Sequence, residues 1–171
     1  AQHSLDPAPL FSIFPGWRIV APTNAFDYIG LFNSAMLSDS PTLIIEHHEL
    51  YGKKSMIPNG APDHLVMPGK ALIVRPGRDV TVVGYSFTVL QALEAALQLA
   101  LEGIEVEVID LRTLDAAGID YETLGESVAK TGMLVFAEQA PACSAIGPRI
   151  ASQCASRFFD TLDGPPSFVA A

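Results

Sequence analysis

From Gly69 onward the chain switches regularly between two hydrophobic periods. Short runs rich in β-branched residues (KALIV, DVTVVGY, EVEVIDL, MLVFAE and PSFVAA) alternate with longer stretches in which apolar residues return every three or four positions: TVLQALEAALQLALEG, DYETLGESVAKTG and GPRIASQCASRFF. The first kind predicts strands and the second helices. The boundaries carry matching chemistry. Thr88 with Gln91 forms a candidate capping box, Leu90, Leu93, Leu97 and Leu101 form a stripe expected to face the core, and Gly103 suits the left-handed position past the helix end. Asp120 can cap a helix closed by Gly132, and Pro148 suits a first turn, where its missing N–H is not needed. Strands joined by helices imply right-handed crossovers and a mainly parallel sheet covered on both faces. Residues 69–171 therefore read as an α/β domain.

Residues 1–48 show the alternation only once: WRIVAP as a strand, NAFDYIGLFNSAML as a helix, TLIIEH as a strand. Phe26, Ile29, Phe32, Asn33 and Met36 give the helix an imperfect period, and Thr23 or Asn24, after Pro22, offers the N-cap oxygen. One strand–helix–strand unit cannot cover both faces of its own sheet. Residues 1–48 are therefore expected to be an incomplete domain, completed by strands of a longer parent chain, with an exposed apolar face on residues 16–47. Residues 49–68, ELYGKKSMIPNGAPDHLVMP, carry prolines and glycines without a sustained period and read as a linker.

Composition narrows the function classes. With 171 residues, 49% hydrophobic and 17% charged, the chain reads as globular rather than disordered, and no apolar run approaches the length of a membrane span. A net charge of -9 leaves no basic face for phosphate backbones, which argues against nucleic-acid binding. A secretory leader is not recognisable, although a chain beginning at Ala1 is expected to have lost upstream residues. Cys143 and Cys154 form no C-x-x-C pair and fit a reducing compartment; Cys154, four residues after Ile150 on a predicted helix, reads as core packing.

Few residues suggest chemistry. The α/β domain has no histidine. Its Gly84-Tyr85-Ser86 turn opens a helix, as an anion site would, but lacks the glycine pattern of a phosphate loop. Asp110 and Glu138 end strands, where α/β sheets bind ligands, yet capping or interdomain contacts explain them equally, and Asp110-Leu111-Arg112 reads as a turn or ion pair. Glu46-His47-His48-Glu49 offers metal-ligand types, but adjacent strand residues face opposite sides, so a strand end or an interface is the competing reading. His64, beside Asp63 in the linker, is expected to be exposed. His3 stands before any regular element, either as an idle loop residue or as a catalytic group whose surroundings lie elsewhere.

The run from Gln2-His3-Ser4 through Pro15-Gly16 to EHHELYG resembles the second half of the pyrimidine-binding domain in the beta subunit of thiamine diphosphate-dependent 2-oxoacid dehydrogenases, in the transketolase superfamily. GKALIVRPGRDVTVVGYSFTVLQALEAA, EVEVIDLRTL, SVAKTGMLVFAEQAP and FDTLDGPP resemble the C-terminal domain of that subunit, in the same order. The resemblance implies a fold: a partial pyrimidine-binding domain followed by a transketolase C-terminal-like α/β domain with a mainly parallel sheet. It also implies a role for His3, since in that family the Q-H-S histidine lies near the reactive thiazolium and handles protons during acyl transfer to lipoamide. An imidazole that titrates near neutrality suits such work, which contributes about 10²- to 10⁴-fold. Ser4 would orient the ring or stabilise its loop.

The resemblance further implies thiamine diphosphate and Mg²⁺ as cofactors of the whole enzyme. The aminopyrimidine glutamate and the stacking aromatic lie upstream of Q-H-S in the family, and the alpha subunit or alpha portion holds the diphosphate and magnesium. No cofactor-binding residue is therefore expected here, and the chain alone is expected to be inactive. Some relatives bind K⁺ through carbonyls in the turn that here runs from Ala35 to Ser40, which nominates Ala35, Ser38 and Ser40; relatives often carry an acid where Ser38 stands. The implied partners are the alpha part, a second beta part and a lipoyl acyltransferase, in the cytoplasm or alternatively the mitochondrial matrix. The competing readings are a transketolase-type or deoxyxylulose phosphate synthase-type transferase, favoured less by EHHELYG, and a non-catalytic interaction domain.

Overall fold

The computed structural model describes residues 5–170. Its first part contains α1 (Ala8–Phe11), β1 (Arg18–Val20), α2 (Ala25–Met36) and β2 (Thr42–Ile44), with β1 and β2 paired in parallel. Asn24 is the cap of α2: its side chain accepts from the Asp27 N–H and its amide donates to Asp27 Oδ2 at 2.8 Å, so Asn24 and Asp27 close the first turn reciprocally. Residues 48–68 hold two short 3-10 turns, His48–Leu50 and Ala61–Asp63, and fold back over α2. There the Val66 N–H bonds the Gly30 carbonyl, and a Cβ on Gly30 would come within 2.5 Å of Val66, so only glycine admits this crossing.

The second part contains β3 (Leu72–Arg75), β4 (Val80–Gly84), α3 (Phe87–Leu101), β5 (Val106–Asp110), α4 (Tyr121–Thr131), β6 (Leu134–Ala137), α5 (Gly147–Arg157) and β7 (Ser167–Val169). Its five strands lie in the order β3-β5-β4-β6-β7, with only β3 antiparallel to its neighbour. The expected mainly parallel α/β architecture is present. Alternate residues of each strand feed two cores: Val82, Val106 and Val108 meet α3 on one face, while Val83, Ile109 and Phe136 meet α4 and α5 on the other. Asp120 caps α4 by accepting from the Thr123 N–H, Gly132 ends it at φ +68°, Pro148 sits in the first turn of α5, and Gly103, at φ +84°, follows α3, all as the sequence predicts.

Three expectations are corrected. The buried stripe of α3 is Val89, Ala92 and Ala96, while Leu97 and Leu101 are 65% and 90% exposed. Alanines bring the helix backbone close to the sheet; of the predicted stripe, Leu93 still packs partly against that core and Leu90 is half-buried, while Leu97 and Leu101 turn outward. The Thr88–Gln91 capping box does not form: Ser86 is the N-cap, without a side-chain bond, and the Thr88 hydroxyl turns back onto the Tyr85 carbonyl at 2.8 Å. His64 is half-buried, stacked on Phe26 with centroids 3.8 Å apart.

The two parts share one core. Ala8, Ile19 and Ala21 belong to the cluster that holds Val83, Ile109 and Leu114. The Leu114 N–H bonds the Ile19 carbonyl at 2.8 Å and the Ala21 N–H bonds the Arg112 carbonyl at 2.9 Å, so residues 111–115 cover much of what the strand–helix–strand unit lacks. On its far side, Met36 and Leu37 remain exposed.

Candidate functional site

The strands β2, β4 and β6 point their carboxyl ends at the same place. The chain leaves β4 for β5 on one side and later returns through β6 on the other, so β4 and β6 flank the position where strand order reverses, the usual ligand crevice of such sheets. A cleft of about 760 Å³ opens there. Leu5, Asp6 and Pro7 line it on one side, Glu46, His47 and Glu49 beyond β2 on another, and Tyr85, Ser86 and Gln139 beyond β4 and β6 form its floor. A second cleft, of about 520 Å³, adjoins it through Glu46, His47 and Tyr51 and carries Lys53 and Lys54.

A hydrogen-bonded chain crosses the floor. The Tyr85 hydroxyl donates to Asp6 Oδ2 at 2.7 Å and lies 3.4 Å from Glu138 Oε2. Asp6 Oδ1 accepts from the Ala8 N–H at 2.8 Å, in the turn that leads through Pro7 into the short α1. Glu138 accepts from the Ile146 and Gly147 N–H groups at 2.9 and 2.5 Å, satisfying the open end of α5. A Cβ on Gly147 would strike Glu138 Oε1 at 2.2 Å, so glycine is required beside this carboxylate. Burial raises the Glu138 carboxyl above its ordinary value, and burial followed by the Asp6 charge raises the Tyr85 phenol, which therefore stays a proton donor.

At the rim, His47 follows β2 in extended conformation, stacks on Phe87 with centroids 4.8 Å apart, and accepts the Glu49 N–H at Nδ1. In the neutral ring its proton is therefore on Nε2. The Tyr51 hydroxyl donates to Glu46 Oε2 at 2.9 Å, and that hydrogen bond raises the Tyr51 phenol.

The nominated residues fare differently. His3, with Ser4, lies outside the described residues. His47 and His48 diverge, the first stacked and the second exposed, and among the described residues no group of three or more His, Cys, Asp or Glu side chains could hold a metal. Asp110 is fully buried outside the cleft, accepting from the Arg112 N–H at 3.0 Å, and burial pushes its carboxyl up to about 7. Its neighbour Arg112 makes the ion pair, to Asp27 across the seam at 3.1 Å. Cys154 is core, its thiol pushed up to about 11 by burial. The turn holding Ala35, Ser38 and Ser40 lies on the surface; the Ala35 carbonyl accepts from the Ser38 N–H and the Ser40 carbonyl from the Thr42 hydroxyl. Asp6 was not singled out from the sequence, and Tyr85 was named there only as part of the Gly84-Tyr85-Ser86 turn, not as a partner of Asp6.

The lining chemistry limits what this cleft can hold. Asp6, Glu46 and Glu49 border the larger cleft and no lysine or arginine does, so it suits a cationic or neutral group and opposes a diphosphate. The lining of the larger cleft therefore does not fit a diphosphate with its magnesium.

Comparison with known proteins adds an independent line. Residues 69–171 match the family described as "Transketolase, C-terminal domain". The chain is 43% identical over 163 residues to the beta subunit of acetoin:2,6-dichlorophenolindophenol oxidoreductase from Cupriavidus necator, covering 95% of this chain and 47% of that protein. It is 42% identical over 167 residues to the mitochondrial pyruvate dehydrogenase E1 component subunit beta of Dictyostelium discoideum, covering 96% and 46%. A solved structure described as a split gene transketolase, inactive beta4 tetramer, superposes with a TM-score of 0.75 at 26% identity, covering 96% of this chain and 50% of that one. The chain thus spans about half the length of the curated relatives it matches.

Proposed function

The chain belongs to the transketolase C-terminal domain family, and on that premise we propose that it works as the beta part of the decarboxylating component of a thiamine diphosphate-dependent 2-oxoacid dehydrogenase. The observation that carries this reading is identity above 40% along at least 95% of the chain to the beta subunits of an acetoin oxidoreductase and of a pyruvate dehydrogenase E1 component. In the whole enzyme the chain would meet an alpha part, which holds the diphosphate and magnesium, a second beta part, and a lipoyl acyltransferase that takes the acyl group. We place it in the cytoplasm, with relatives of both bacterial and mitochondrial origin. When bound, the cofactor supplies the electron sink for loss of carbon dioxide.

The chain's own contribution is one wall of the site. His3 holds or releases a proton beside the reacting group, Asp6 and Tyr85 fix the start of the segment that follows it, and the carboxylates of the cleft favour a cation over an anion. Because these residues lack the diphosphate clamp, the chain by itself is expected not to turn over substrate. On the same premise, the Ala35 to Ser40 turn is the potassium site.

The test is His3→Ala in the full-length enzyme. Acyl transfer should fall by about 10²- to 10⁴-fold, with cofactor affinity by calorimetry largely unchanged; wild-type turnover would remove His3 from the mechanism. The transketolase neighbour favours a two-carbon transferase as the second reading. Assaying pyruvate and acetoin beside a ketose phosphate in the same enzyme separates the two.

A further inference from the structure

We propose that Tyr85 is a positioning residue for the proposed reaction: its hydroxyl, through Asp6, ties the segment that carries His3 to the floor of the second part. This rests on the proposed role of His3. The two residues stand 79 positions apart, and their 2.7 Å bond joins a strand end of one part to the first described turn of the other. Three residues of chain span at most about 11 Å, so an anchor at Asp6 bounds where the residue three positions before it can reach.

The surroundings give the tie its direction. Tyr85 is only 5% exposed, held in the shared core, so the phenol is fixed from below and cannot follow a wandering loop. Asp6 spends one oxygen on the Ala8 N–H and the other on Tyr85, which leaves its carboxylate in a single orientation. Glu138, at 3.4 Å, already serves two N–H groups of α5, so the phenol's shorter and stronger bond goes to Asp6. Packing alone would have been supplied by phenylalanine. The hydroxyl adds a polar group that must be satisfied in the core, and the partner that satisfies it lies on the His3 segment.

The experiment uses the full-length enzyme with its alpha part and compares Tyr85→Phe, Asp6→Ala, Asp6→Asn and the Tyr85→Phe/Asp6→Ala double variant. Amide hydrogen exchange over residues 1–11 reads the anchor without reference to activity, and kcat and KM read its consequence. Losing a bond to a carboxylate should speed exchange in that segment about tenfold and lower kcat about tenfold, with KM unchanged within about twofold. Asp6→Asn keeps an acceptor for the phenol and should restore most of kcat, and the double variant should be no worse than either single loss. Unchanged exchange in both Tyr85→Phe and Asp6→Ala would overturn the proposal, as would additive losses in the double variant or unchanged kcat when exchange rises. If His3→Ala turns over normally while Tyr85→Phe still loosens the segment, the catalytic reading of His3 fails and the anchor stands as a structural tie only. Should Tyr85→Phe fail to fold, Asp6→Ala and Asp6→Asn decide the same question.

Discussion

Replacing Arg112 by alanine removes the guanidinium that clasps the two parts. That group donates from Nη1 to Asp27 Oδ1 at 3.1 Å and from Nε and Nη2 to the Lys70 carbonyl at 3.1 and 2.8 Å. Side-chain exposure is 11% for Arg112 and 5% for Asp27, so the loss strands a buried carboxylate rather than a solvated one. Breaking such a pair from one side costs about 3 to 5 kcal/mol. The lower figure applies, because Asp27 keeps the Asn24 amide at 2.8 Å and sits in the first turn of α2, where the helix dipole favours a negative charge. About 3 kcal/mol is a large share of a net stability of about 5 to 15 kcal/mol.

A second substitution isolates the backbone. Arg112 lies at φ +55°, a conformation in which any residue with a Cβ is strained by about 1 to 2 kcal/mol. Alanine inherits that strain and glycine does not, so Arg112→Gly should be more stable than Arg112→Ala by about 1 kcal/mol. Urea unfolding followed by Trp17 fluorescence, which reports the first part through the only tryptophan, and by far-UV dichroism, which reports the helices, measures both effects. A loss below about 1 kcal/mol for alanine, or glycine less stable than alanine, would refute the reasoning.

Two further outcomes follow from the same contacts. Asp110 has a folded-state pKa of about 7 against an ordinary 3.8, so between about pH 4 and 7 the folded chain binds more protons and its stability falls as pH rises. Asp110→Asn should flatten that slope in urea titrations, and an unchanged slope would mean that another group carries it. If the Ala35 to Ser40 turn binds K⁺, replacing Na⁺ by K⁺ at ten times its Kd should stabilise the enzyme by about 1.4 kcal/mol; equal thermal midpoints in the two salts would remove the turn from the proposed function.

How far the sequence could be read depended on the range of the determinant. Asn24, Asp120, Gly132 and Pro148 act on their own helix ends, and each was legible as a cap or stop before any tertiary contact was known. The helix α3 was legible as a helix but not as a face, because Val89, Ala92 and Ala96 recur with the same three-to-four spacing as its leucines. A helix apolar on both sides carries no period that says which side packs. The anchors of the candidate site are less visible still. Asp6 with Tyr85 and Asp27 with Arg112 are separated by 79 and 85 positions, and nothing in the local stretch of one member points to the other. His47 illustrates the same limit from the other direction: its neighbour His48 suggested a metal, while its actual partner is the ring of Phe87.

Among the described residues, the two non-glycine residues with positive φ explain why the seam, rather than either sheet, defines the cleft. Ser86 at φ +53° follows β4 and Arg112 at φ +55° follows β5, and the strand register pairs Gly84 with Asp110, so these strained turns stand side by side. Both face the first part. The Ser86 carbonyl accepts from the Thr23 hydroxyl at 3.1 Å and the Arg112 guanidinium reaches Asp27, on either side of the start of α2. Strain of this size persists only where surrounding contacts outweigh it, and the contacts that do so come from α2 and the residues before it. Docking of α2 therefore holds the ends of β4 and β5 in conformations they would otherwise relax from, and Tyr85, immediately before Ser86, is aimed by the same turn. The direction of the phenol toward Asp6 is then a consequence of the seam, and a substitution at Arg112 should loosen the Asp6 anchor without touching either of its two residues.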